Sequence, residues 1–161
     1  MPEPPIDPAS LVDTSRYPLG SPHDTRYQNN LTVTRSALER DGCAVIPGFL
    51  SPIGLSRLLA EAEERRKLAY FSASTKTNVY FSADDPSLAE DHPRRIFLER
   101  TNGFITSDCY HEMTSSRALY QWPPLMNFIQ DCLGKDRLYI YEDPVSNMIV
   151  NVLTPGSQFN W

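Results

Sequence analysis

Residues 147–161 constrain the fold more than any other stretch. Asn147-Met148-Ile149-Val150-Asn151-Val152-Leu153 reads as a β-strand, rich in the β-branched residues that fit a pleated surface. Thr154-Pro155-Gly156-Ser157 then reads as a tight turn. Pro155 presets φ for the second turn position, and Gly156 supplies the positive φ that a type II turn needs at the third. Gln158-Phe159-Asn160-Trp161 begins a return strand. A strand and its return need neighbours, because an open edge leaves unpaired backbone groups and, here, an exposed indole. The 161 residues are therefore expected to form the front portion of a larger, sheet-based fold.

Composition bounds the function classes. Hydrophobic residues make up 40% and charged residues 22%, which is ordinary for a globular domain. The length allows one domain with a core. A net charge of -5 without a basic stripe argues against a nucleic-acid partner. Arg65-Arg66-Lys67 directly follows Glu61, Glu63 and Glu64, a mixture that suits a solvated helix. No apolar run approaches the ~18 residues of a membrane span, and Met1-Pro2-Glu3-Pro4-Pro5 lacks the features of a secretory signal. Cys43, Cys109 and Cys132 are odd in number and far apart, so they read as reduced core thiols. The expectation is a cytoplasmic protein with no membrane partner.

Residues 1–30 hold six of the fourteen prolines and read as an irregular lead-in, extended or draped over the surface. Order is expected from near Leu31, with Thr34 capping a short helix that Asp41-Gly42 ends. Cys43-Ala44-Val45-Ile46 reads as a buried strand closed by Pro47-Gly48. Ser51-Pro52 is a helix start, with Ser as N-cap and Pro at the first helical position. Leu55, Leu58, Leu59 and Ala62 follow at helical spacing and predict a core-facing stripe, with Arg57, Glu61, Glu64 and Arg65 opposite. Short strands are expected at 78–81, 96–100 and 138–141. A helix over 124–133, with Leu125, Phe128, Ile129, Cys132 and Leu133 inward, stops at Gly134. Helices first and strands later predict an α+β fold.

Several chemistries are excluded by spacing. There is no Gly-rich phosphate loop, Gly-x-Ser-x-Gly elbow or His-Glu-x-x-His motif. His23, His92 and His111 have no second ligand at metal spacing. Asp108, Cys109, His111 and Glu112 read as ordinary loop residues. Glu142 and Asp143 stand at a strand end, either as a simple turn or as a carboxylate that holds a cationic part of a substrate. Asn147 and Asn151 share a strand face by the period of two, opposite Met148, Val150 and Val152. Two readings stand for that face: it lines a polar cavity, where amides meet a ligand oxygen, or it is solvated or has its amides satisfying backbone groups of a neighbouring strand.

The block from Asn147 to Trp161 resembles the approach to the metal site in Fe(II)- and 2-oxoglutarate-dependent oxygenases. The likeness is to members organised like phytanoyl-CoA dioxygenase or amino-acid hydroxylases and halogenases. In that family an Asn-Val-x-x-Pro-Gly strand and turn lead through Phe-Asn-Trp into His-x-Asp, the first two iron ligands. The segment Asp41-Gly42-Cys43-Ala44-Val45-Ile46-Pro47-Gly48-Phe49-Leu50-Ser51-Pro52 is similar to the family's entry segment. The resemblance covers about residues 36–68 and 137–161. It implies N-terminal helices flanking the first strands of an incomplete double-stranded β-helix, or jelly roll. Residues 31–161 would be the N-terminal part of one oxygenase-like domain.

The resemblance implies that the complete enzyme would use Fe(II), 2-oxoglutarate and O2 to hydroxylate or halogenate a C–H bond of a small substrate. Asn147 and Asn151 would approach 2-oxoglutarate, and Glu142, Asn160 and Trp161 the substrate. The His-x-Asp pair would begin just past Trp161, so a facial triad is absent and this chain alone is expected to be inactive, with no tightly bound cofactor. The contrasting reading is a non-catalytic interaction module that associates through an open sheet edge.

Overall fold

The computed structural model describes residues 6–71, 76–99, 102–153 and 155. Among these residues four α-helices are present: α1 Thr25–Asp41, α2 Pro52–Arg65, α3 Ser115–Tyr120 and α4 Pro123–Leu133. The strands are short: β1 Tyr70–Phe71, β2 Lys76–Thr77, β3 Leu98–Glu99, β4 Gly103–Ile105 and β5 Val150–Val152. They form a three-stranded antiparallel sheet in the order β1-β4-β5 and a separate β2-β3 pair. The protein is α+β, as the element pattern predicts.

The lead-in departs from expectation. Leu11, Val12, Tyr17 and Leu19 are buried; the last three pack with Tyr27 and Leu31 of α1 and Phe128 of α4, while the Leu11 backbone lies against Gly54. Ile46, Phe49, Trp122 and Leu125 close this core. The segment is irregular because its prolines break helix and strand alike, but its apolar residues are still driven inside. Backbone bonds stitch it to the turn before α2: Asp13 N donates to Phe49 O at 2.9 Å and Ser51 N to Leu11 O at 3.0 Å.

α1 begins at Thr25 rather than Thr34, because Asp24 caps it by accepting from Arg26 N at 2.8 Å. Gly42, at φ 71°, ends it, in the left-handed conformation that glycine adopts without penalty. Tyr27 stacks edge-on against Phe128 and donates through its hydroxyl to Asp131 Oδ2 at 2.5 Å. Burial, reinforced by that carboxylate, drives its phenol well above the usual range. The expected strand at 43–46 is unpaired backbone, with Cys43 exposed and Val45 85% exposed. Ile46 alone of the four packs against the core, so Cys43 is not a core thiol.

Ser51 caps α2 as predicted, accepting from Gly54 N at 3.0 Å. The helix is turned, however, so that Gly54, Leu58, Glu61 and Arg65 lie on the inward side. These positions follow i, i+4, i+7 and i+11, one helical face. Leu55 and Leu59 remain 50% and 60% exposed. A Cβ on Gly54 would overlap the Leu11 carbonyl, so the glycine fixes which face can approach the lead-in. α4 and its Gly134 stop are as expected, with Phe128 2% exposed, although Ile129 and Leu133 face outward.

Residues 78–81 form a turn instead of a strand. Asn78 organises it, donating to Arg94 O at 2.6 Å and accepting from Tyr80 N and Ser82 N. The expected 138–141 strand is also absent: this stretch has no partner strand among the described residues, and Tyr139 is 74% exposed. Of the expected 96–100 strand, Leu98–Glu99 forms, and Arg100 lies outside the described residues.

Candidate functional site

The predicted site begins on the three-stranded sheet. β4 is central, and its register places Tyr70 opposite Phe104 and Phe104 opposite Asn151. Directly opposed residues share a sheet face, so Tyr70, Phe104 and Asn151 form one row. The two rings lie 5.3 Å apart, centroid to centroid. Val150 and Val152 point the other way with Gly103 and Ile105, and Ile105 is fully buried. The parity expected of Asn151 is therefore present, on a strand trimmed to three residues. Asn151 itself is exposed.

Asn147 precedes the strand in a bend and is half-buried. Its Oδ1 accepts a short hydrogen bond from Ser107 Oγ. No hydrogen bond joins it to Asn151. Glu142 is exposed on the irregular segment before the 144–146 turn. There Asp143 accepts from Val145 N and Ser146 N, and these bonds hold its carboxyl below the usual range. Asn160 and Trp161 lie outside the described residues.

A polar network missed by sequence reading runs from Asn147 into the helices. Arg117 of α3 donates to Ser107 O at 2.7 Å, to Ser107 Oγ at 2.9 Å and to Tyr110 O at 2.8 Å. Ser107 is fully buried, so these bonds satisfy groups that water does not reach. Arg65 of α2 is 9% exposed, donates to Cys109 O at 3.0 Å and lies 5.2 Å from the Tyr110 ring centroid. Glu61, one turn earlier, accepts from Ser115 N at 2.5 Å, Ser116 N at 2.9 Å and Ser116 Oγ at 2.7 Å.

Burial alone would raise the Glu61 carboxyl, but these donors prevail and hold it below its ordinary 4.5. Burial pushes the Tyr110 phenol up, against the pull of Arg65. Tyr110 Oη and Ser115 Oγ are buried with no hydrogen-bond partner among the described residues. The sequence did carry one signal for this network. A glycine inside a helix marks a close approach, and Glu61 and Arg65 share its face.

The network is suited to positioning and binding. Among the described residues no hydroxyl or thiol is hydrogen-bonded to a histidine ring, the pairing that most often activates a nucleophile. No three His, Cys, Asp or Glu side chains among them converge as metal ligands. The described residues therefore do not fit an Fe(II) centre, and no step through iron follows from them. No helix among them is long and apolar enough to cross a membrane. Comparison with known proteins finds no matching family model, no similar curated protein and no similar solved structure.

Proposed function

We propose that this chain is the N-terminal part of a non-haem Fe(II)- and 2-oxoglutarate-dependent oxygenase. Its helices flank the first strands of a jelly roll, and the complete form oxidises a C–H bond of a small substrate. The observation that carries the reading is the row Tyr70–Phe104–Asn151. An exposed amide beside two aromatic rings, on the strand that runs into the Pro155 turn, combines an apolar wall with one placed polar group, the usual make-up of a ligand cavity.

In this reading Asn151 contacts 2-oxoglutarate or substrate directly. Asn147 acts through Ser107 and Arg117 to set where the strand starts. Glu142 meets a cationic part of the substrate from the cavity mouth, with Asn160 and Trp161 beyond the turn. Fe(II), bound by ligands that follow Trp161, would supply the oxidising chemistry. Only binding and orientation are assigned to this chain, which is inactive by itself.

Reading the nucleotide sequence past the Trp161 codon tests the proposal. An open frame that begins with His-x-Asp is expected, and a stop codon there overturns it. Iron-dependent succinate formation by the 161-residue polypeptide would overturn the assignment of the metal ligands. A second reading draws on β5, which among the described residues pairs with β4 alone. A partner strand could add to its other side, and a stop codon after Trp161 would favour that interaction module.

A further inference from the structure

A groove of about 460 Å³ lies between α2 and residues 111–115. It carries charges of both signs, but they are not equally available. Its acids are committed. Glu61 is occupied by the amides of Ser115 and Ser116 and by the Ser116 hydroxyl, and Glu64 pairs with Arg65 at 2.8 Å. Arg65 is spent on that carboxylate and on the carbonyls of Glu61 and Cys109.

What remains is a set of donors. Arg57 is exposed on the groove wall and has no hydrogen bond or ion pair with a described residue. The His111 ring, also on the wall, is uncommitted in the same way. Ser115 lines the groove and is 1% exposed; its hydroxyl, near enough to Glu61 to help lower that carboxyl, has no hydrogen-bond partner among the described residues. A buried hydroxyl left unpaired is uncommon in folded proteins and calls for an explanation. Ile6, Ala60 and Met113 give the groove an apolar side.

We propose that this groove binds a small organic anion, a carboxylate or phosphate monoester with a short apolar chain. Arg57 and His111 take the acid group, since a guanidinium forms its strongest hydrogen bonds with anionic oxygens. Ser115 Oγ turns to donate to the same group. The chain lies against Ile6, Ala60 and Met113. The amides at the start of α3 take no part, because Glu61 already holds them. The proposal does not depend on the oxygenase reading, and neither Asn151 nor Glu142 lines this groove.

Calorimetric titration of the 161-residue chain with hexanoate, hexyl phosphate and hexylammonium tests it. At least one of the two acids binds and hexylammonium does not; the tighter acid identifies the headgroup. Arg57→Gln, an exposed substitution, weakens acid binding about tenfold, the scale of one charge-assisted contact, with an unchanged circular dichroism spectrum. Ser115→Ala weakens it at least threefold. The proposal is overturned if neither acid binds at millimolar concentration, if hexylammonium binds equally, or if Arg57→Gln keeps full affinity. Inorganic phosphate binding as tightly as hexyl phosphate would remove the apolar half of the site.

Discussion

Glu61 joins segments 54 and 55 residues apart through one carboxylate. Its three acceptor bonds replace water around a half-buried charge, which is the condition under which such a charge stabilises. Glu61→Ala strands the Ser115 and Ser116 amides. We expect it to cost about 1–3 kcal/mol in urea unfolding at pH 7, the range for unsatisfied buried groups. The sign of the pH dependence follows from the lowered carboxyl. A group depressed in the folded state contributes its full stabilisation above its unfolded value, and that contribution fades as pH falls through the folded one. The gap between wild type and Glu61→Ala should therefore narrow once pH drops below about 4. A gap that stays constant from pH 7 to 3 would show that the carboxylate charge plays no part.

At the scale of elements, α2 separates propensity from packing. Its cap and its start were legible in Ser51 and Pro52. Its rotation was not, because two faces were available and a backbone approach at Gly54 decided between them. Gly54→Ala should accordingly cost more than about 2 kcal/mol, since the new methyl meets rigid backbone. Leu59→Glu, on the outward face, should change stability by no more than about 0.5 kcal/mol. Thermal unfolding of both variants checks the contrast; equal losses would mean that the leucine stripe faces the core after all. The same limit explains the other misses. Residues 43–46 and 138–141 have β-forming side chains but no partner strand, and strand preference is realised only through pairing. Asn151 parity was readable because a period of two survives trimming of the strand. The Ser107–Arg117 bonds to Asn147 were not, because they join residues that only the folded chain brings together.

The whole molecule is more exposed than its size requires. A self-contained globular protein of 18.3 kDa is expected to present about 8,100 Å², whereas this chain presents 11174 Å². The excess of about 3,000 Å² is on the scale of what a large permanent interface buries in total. Part of it is apolar and clustered in the chain: Leu68, Tyr70 and Phe71 are each about half-exposed directly after α2. An unfolded chain of this mass presents about 26,500 Å², so folding removes about 15,400 Å² where a compact protein would remove about 18,400 Å². The urea dependence of unfolding scales with that area. The m-value of the 161-residue chain should therefore fall about one sixth below that of a compact domain of the same length, and the native state should bind a hydrophobic dye at neutral pH. A full-sized m-value without dye binding would mean that the exposed rings and leucines are covered in solution. Sedimentation would then decide how: a monomer would place the cover within the chain, and a larger species would place it on a second copy.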